Sequence, residues 1–285
     1  MKIFYSPRCL EYSQPGHPES PERARSAYEY LEQKGYEFTG PKPCSEEDIL
    51  LAHTPPLLER VKKENFFDYD TPAFPGIYGI ALLSAGSAVD AAMHCMTKGE
   101  MAFSLMRPPG HHATKNDLGG FCYFNNIAIA CLKAQKDLSD VDRVAIVDFD
   151  CHHGNGTEDI MLGKKGFLYL SLHQSPLYPG TGLQSRENCI NLPLGPHTGP
   201  DEYLSVLAEG LKAVEEFHPD LLAVSAGFDS YKGDPIANHS LEQETYRKIG
   251  GMLARLKKPA FAVLEGGYSR DLPECIYQFL SGLEE

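Results

Sequence analysis

The stretch Val144-Ala145-Ile146-Val147-Asp148-Phe149-Asp150-Cys151-His152-His153-Gly154-Asn155-Gly156-Thr157 decides how this chain is read. It opens as an apolar run rich in β-branched residues, the pattern of a parallel strand buried on both faces. It closes in two carboxylates, two imidazoles and a glycine-punctuated turn. Side chains alternate along a strand, so Asp148, Asp150 and His152 share a face if the strand runs that far. Hard oxygens and an imidazole at the carboxyl end of a parallel strand mark where an α/β protein places a metal and its chemistry.

Working outward, the same grammar repeats. Strands are predicted at 1–6, Met101–Leu105, Phe167–Leu172, Leu221–Ser225 and Ala260–Leu264. Helices are predicted at Ser20–Lys34, Ser45–Leu51, Pro55–Glu64, Ile77–Thr97, from Asn125 or Asn126 to Lys136, Thr157–Leu162, Pro200–Phe217, 241–256 and Leu272–Leu283. Alternating strands and helices mean an α/β fold with a largely parallel sheet. No repeat, low-complexity tract or linker interrupts it, so residues 1–285 read as a single domain. Polar groups fall just past the strands: His111 and His112 after the second, Asp229 and Tyr268 after the last two. Crossover helices bring those strand ends to one rim.

The composition narrows the classes. With 42% hydrophobic residues among 285, the chain can bury a full core. A formal net charge of -13 disfavours nucleic acid and mildly favours a cationic substrate. The 8 cysteines form no CxxC pair, which fits reduced thiols in a cytoplasmic protein. Met1-Lys-Ile-Phe-Tyr-Ser has no apolar signal core, and no stretch reads as a membrane span. Nothing in the sequence signals an oligomeric state.

Two carboxylates and an imidazole make a three-ligand site with an open position, the arrangement in which zinc acidifies water. Asp150, His152 and Asp229 are the expected ligands. Zn²⁺ is the first ion expected, and an oxygen-rich set also accommodates Fe²⁺. His111 and His112 are both candidates for general base, with Asp148 and Asn155 available to fix their tautomers. Tyr268, on what reads as a flexible Gly-Gly hinge, can donate to a developing oxyanion. Activated water, proton shuttle and oxyanion donor together are the parts of amide or ester hydrolysis. Gly119 and Gly120 allow close backbone approach to a ligand, and Phe121 supplies an aromatic wall. Arg23, at a helix start where a cation gains nothing from the dipole, either has another partner or is exposed.

At these residues the chain resembles the histone deacetylase superfamily, which includes acetylpolyamine amidohydrolases and acetoin-utilisation-type proteins. Pro21-Glu-Arg23, Arg107–His112, Gly119–Asn126, Asp148–Thr157, Tyr178–Gly182, Ala226–Asp229 and Gly266-Gly-Tyr268 come in the family's order. The resemblance implies the arginase/deacetylase fold, with a mostly parallel sheet of about eight strands and helices on both faces. It implies a zinc-dependent amidohydrolase that removes acetyl, or a short acyl group, from an amine such as acetyl-lysine or an acetylated polyamine, with a deacylase for longer acyl groups as an alternative. It makes His112 the base, His111 its electrostatic partner beside Asp148, and Tyr268 the catalytic phenol. It assigns the Gly120 carbonyl to the substrate amide N–H, Phe121 and Tyr178 to the tunnel walls, Asp70 to the substrate backbone and Arg23 to an internal acetate exit. It also implies K⁺ or Na⁺ held by Asp148, Ser171 and the carbonyls of Asp150, His152 and Leu172. Three positions depart from one branch or another. Asn155 stands where some members have Asp, Tyr178 where Phe is frequent, and Ile236 where eukaryotic polyamine deacetylases carry a gatekeeper Glu. The rival readings are a non-catalytic binding protein on the same fold and a two-metal ureohydrolase, which needs bridging aspartates not found here.

Overall fold

The computed structural model describes residues 1–285. Eight strands form one all-parallel sheet: β1 Lys2–Phe4, β2 Phe38–Thr39, β3 Ala102–Ser104, β4 Val144–Asp148, β5 Phe167–Gln174, β6 Cys189–Leu194, β7 Leu221–Ala226 and β8 Ala260–Leu264. Their spatial order is β2-β1-β3-β8-β7-β4-β5-β6. The helices are α1 Pro21–Gln33, α2 Glu46–Ile49, α3 Pro55–Lys62, α4 Ile77–Lys98, α5 Asn126–Asp137, α6 Asn155–Met161, α7 Pro200–Phe217, α8 Gln243–Ala254 and α9 Leu272–Leu283.

The inner strands β3, β4, β5, β7 and β8 are buried on both faces, and their side chains divide with a period of two. On β4, Ala145 and Val147 join a core of 39 residues built with α1, α7, α8 and α9. Val144 and Ile146 point the other way, into a core of 38 residues built with α3, α4, α5 and α6. β7 divides the same way, with Leu222 and Val224 on the first side and Leu221 and Ala223 on the second. Two cores of nearly equal size therefore clamp the sheet. Contrary to the expectation that no stretch reads as a membrane span, α4 is by length and composition apolar enough to cross a membrane. Here its alanine-rich surface packs into the second core, with Ala85, Ala88, Ala91 and Ala92 at 0% exposure.

Two strands were not anticipated. β2 is a two-residue edge paired only to β1, and β6 is the opposite edge, paired only to β5. β6 contains Pro193, which an edge strand tolerates because it has no ladder partner on one side. The central four strands, β3, β8, β7 and β4, are parallel neighbours. The loops that leave their carboxyl ends begin at Leu105, Glu265, Gly227 and Phe149, and so open at one place.

Candidate active site

β4 stops at Asp148, two residues short of the first expected ligand. From there the backbone folds over its own carboxylates. Asp148 Oδ1 accepts the Asp150 N–H at 3.2 Å, and Asp150 Oδ1 accepts the His152 N–H at 2.8 Å. The loop after β7 closes from the other side, where Asp229 Oδ1 accepts the Cys151 N–H at 2.7 Å. These bonds gather Asp150, His152 and Asp229, whose ligand atoms all lie within 4.8 Å of one another. His152 Nδ1 sits 3.1 Å from Asp150 Oδ1 and 2.8 Å from Asp229 Oδ2.

The donor set fits a divalent ion. All three side chains are buried. Burial pulls the His152 pKa down, but the charges of Asp229 and Asp150 outweigh it and push it up to about 10. Burial and the charge of Asp150 push Asp229 up as well. Two buried carboxylates this close demand positive charge between them, and a divalent ion at the same point answers that demand. Glycines let the backbone close on the site: a Cβ on Gly227 or Gly266 would lie 2.1 or 2.6 Å from Asp150 Oδ2.

The two adjacent histidines have opposite electrostatics. His111 Nδ1 donates to Asp148 Oδ2 at 3.1 Å, and that oxygen also accepts the Tyr169 O–H at 2.9 Å. Burial opposes protonation of His111, but Asp150 and Asp148 outweigh it, and its pKa rises to about 10. His112 Nδ1 donates to Asn155 Oδ1 at 2.8 Å. Burial and the neighbouring charges of His111 and His152 drive its pKa well below the usual imidazole value. The surroundings thus favour the charged form of His111 and the neutral form of His112, whose Nδ1 is the nitrogen bonded to Asn155. The residues alone left both histidines as candidates for the base, and the family resemblance pointed to His112.

A cavity of about 280 Å³ opens onto this centre. Asp70, His111, His112, Gly120, Phe121, Asp150, His152, Tyr178, Ile236 and Tyr268 all contribute to its lining. Tyr178 stands edge-on to His112 at 5.1 Å between ring centroids, and Phe121 edge-on to Tyr268 at 5.8 Å. Gly120 has φ +57, and a Cβ there would lie 2.4 Å from the His112 ring; only glycine allows this approach. Phe121 also takes a left-handed conformation, φ 69. It is held there by its N–H, which donates to Thr71 Oγ1 at 2.9 Å, while the Gly120 N–H donates to Asp70 Oδ1 at 3.3 Å.

The Gly-Gly before Tyr268 is not the flexible hinge the sequence suggested. The Gly266 N–H donates to Asp150 Oδ2 at 2.7 Å, and the Gly267 carbonyl accepts from Arg23 Nε at 2.6 Å. The glycines serve close approach instead: a Cβ on Gly266 would lie 2.4 Å from Asp229 Oδ2. Arg23 has buried partners and is not exposed; its guanidinium lies 4.6 Å from the centre of the Tyr268 ring.

The expected monovalent-cation residues also cluster here. The carbonyls of Asp150 and His152 accept no hydrogen bond, which leaves their lone pairs free. Ser171 Oγ is 2.9 Å from His173 Nδ1, and His173 Nε2 is 3.0 Å from the Gly182 carbonyl. The carbonyl requires Nε2 to be the donor, so Nδ1 accepts the serine proton and the serine oxygen's lone pairs turn elsewhere.

Several buried polar groups escaped the sequence reading. Glu19 takes a bidentate pair from Arg107, with Nε–Oε1 and Nη2–Oε2 both 2.6 Å, plus the Tyr12 O–H at 2.8 Å and Arg23 Nη1 at 3.0 Å. Glu265 Oε2 accepts the Gly110 N–H at 2.7 Å and the His111 N–H at 3.2 Å. Charged residues flanking the prolines of His17-Pro-Glu-Ser-Pro-Glu-Arg23 were the available signal.

Two buried carboxylates, three imidazoles and a phenol gather around one cavity on an α/β scaffold, the donor types that hydrolysis draws on. The chain belongs to the histone deacetylase family: that family's domain, described as histone deacetylase domain, matches residues 17–283. A probable deacetylase of Methanothermobacter thermautotrophicus is 37% identical over 302 residues, covering 100% of this chain and 91% of that protein. The crystal structure of the HDA15 HD domain superposes with a TM-score of 0.94 at 30% identity, covering 100% of this chain and 91% of that one. The acetylpolyamine aminohydrolase structure from Burkholderia pseudomallei gives 0.90 at 27% identity, covering 99% and 98%. The protein is accordingly a hydrolase acting on amide bonds, an amide deacetylase by family.

Proposed function

We propose that the protein hydrolyses the N-acetyl amide of a cationic amine, either an acetyl-lysine side chain or an acetylated polyamine, with one Zn²⁺ held by Asp150, His152 and Asp229. The observation that carries this reading is the His112–Asn155 hydrogen bond of 2.8 Å beside the three-donor cluster, on the cavity that Tyr268 also lines. When bound, the ion supplies Lewis acidity, making water a better nucleophile near neutral pH and polarising the acyl oxygen.

The chain's own residues do the rest. His112 Nε2 takes the proton of the attacking water, because Nδ1–H is committed to Asn155. It then returns that proton to the departing amine nitrogen. The cationic His111 beside it favours the buildup of negative charge at the centre. Tyr268 donates its O–H to the oxygen that becomes an oxyanion. The Gly120 carbonyl takes the substrate amide N–H, Phe121 and Tyr178 sandwich the aliphatic chain, and Asp70 at the mouth takes the substrate's polar outer end. Arg23 borders the exit for acetate. K⁺ or Na⁺ among Asp148, Ser171 and the carbonyls of Asp150, His152 and Leu172 offsets the buried carboxylates. Ile236, in place of a carboxylate, removes one means of favouring polyamines, and a net charge of -13 suits cationic substrates of either kind.

The test is turnover of a fluorogenic acetyl-lysine peptide, acetylputrescine, acetylspermidine and longer acyl-lysines, with Zn²⁺ and with chelator. Zinc-dependent release of acetate supports the reading. A chain that binds these amides without turning them over contradicts it.

A further inference from the structure

Asp234 is a buried carboxylate that the proposed chemistry does not use. It lies in Gly233-Asp234-Pro235-Ile236, in the loop after β7, and is 8% exposed. Its Oδ2 accepts the Tyr268 N–H at 2.7 Å, and its Oδ1 accepts the Ile236 N–H at 3.0 Å. Its own N–H donates to the Tyr231 carbonyl at 2.9 Å. One carboxylate therefore joins two loops whose residues both line the cavity. Burial and the charge of Asp229 push its pKa up to about 7, against the pull of its two N–H donors and Arg23. A carboxylate is an expensive group to bury for this purpose, yet it alone offers two acceptor oxygens to two backbone amides. The Tyr268 N–H is also the last backbone anchor before the phenol. The two peptide groups ahead of it are fixed by Asp150 and by Arg23.

We propose that Asp234 is a positioning residue for Tyr268, fixing through that backbone N–H the point from which the phenol meets the substrate oxygen, and fixing the Ile236 wall with it. The inference rests on the reading of Tyr268 as the oxyanion donor. If that reading holds, Asp234 acts on kcat only through the tyrosine hydroxyl, and removing the hydroxyl removes the effect.

The experiment is a double-mutant cycle on the full-length zinc-loaded protein with a fluorogenic acetyl-lysine peptide. Asp234→Asn keeps one acceptor and turns the other into a donor facing an N–H. In the wild-type background it lowers kcat about 10- to 100-fold, the scale of a displaced catalytic group, and raises KM through Ile236. In the Tyr268→Phe background the same substitution changes kcat by less than about twofold, because the coupled pair is already broken. Bound zinc stays at wild-type stoichiometry in all four proteins. Should Asp234→Asn not fold, Asp234→Glu, which keeps the charge and moves the carboxylate by one methylene, gives the same non-additive pattern. An equal loss of kcat in both backgrounds, or no loss in either, overturns the proposal while leaving a crippled Tyr268→Phe to support the tyrosine's role. Full turnover in Tyr268→Phe overturns both.

Discussion

Replacing Gly120 with Ala tests how tightly the backbone sets the base. The added Cβ would lie 2.4 Å from His112 Cδ2 and 2.8 Å from Cγ. Ordinary contact begins at 3.4 Å, so the ring must retreat by about 1 Å or the loop must give. The loop is held by Asp70 and Thr71, while the ring hangs on one hydrogen bond to Asn155; the ring moves. A misplacement of about 1 Å costs a catalytic step on the order of 100-fold. The left-handed φ of +57 adds a backbone penalty of about 1–2 kcal/mol. Steady-state kinetics on an acetyl-lysine peptide should therefore show kcat/KM down about 100-fold, with zinc content unchanged because no ligand is touched. Gly99→Ala is the control, since it has φ +65 with nothing within 4 Å of its Cβ. It should carry a similar backbone penalty in thermal denaturation and keep full activity. Wild-type kcat/KM in folded Gly120→Ala would refute the packing argument.

Three further outcomes follow from the buried charges. Asn155→Asp places a carboxylate on His112 Nδ1 and raises the imidazole pKa, so the acid limb of the kcat/KM profile should move to higher pH; an unmoved limb contradicts His112 as base. Glu19 is held below its usual pKa: burial acts to raise it, but Arg107 and Arg23 more than compensate. A depressed acid contributes stability above its unfolded pKa of about 4.5, lost as pH falls through the folded value. Glu19→Gln, which strands two buried cations, should therefore cost about 3–5 kcal/mol at pH 7, a gap that narrows below pH 4.5 in denaturant titrations. Asp229→Asn should abolish zinc binding in equilibrium dialysis without lowering the chelator-treated protein's thermal midpoint, because it removes the cost of burying a charge and the repulsion from Asp150, which together raise the Asp229 pKa.

Sequence and structure agree where local chemistry decides. β8 and α9 fall on the predicted residues, as does α7, because apolar runs there are bounded by proline, glycine and charge. The edge strands β2 and β6 were invisible for physical reasons: one is two residues long, and the other carries Asn191 and Pro193 with a partly exposed face. The candidate metal cluster was legible because its members sit directly after buried strands. The groups that orient it were not, because their partners are distant in sequence: Arg107 reaches Glu19 across 88 residues, Arg23 reaches Gly267 across 244, and Tyr268 reaches Asp234 across 34. The two glycines at 266 and 267 misled for a related reason. Sequence reports their freedom, while only the fold shows that Asp150, Asp229 and Arg23 have taken it away.

Zinc added back to chelator-stripped protein, with acetyl-lysine turnover followed against zinc bound per chain, tests the central claim most directly. Activity should climb linearly and level off at one ion per chain, and His152→Ala should neither bind zinc nor turn over. Turnover that persists without metal, or that rises only when a second ion binds, would contradict a single ion held by Asp150, His152 and Asp229.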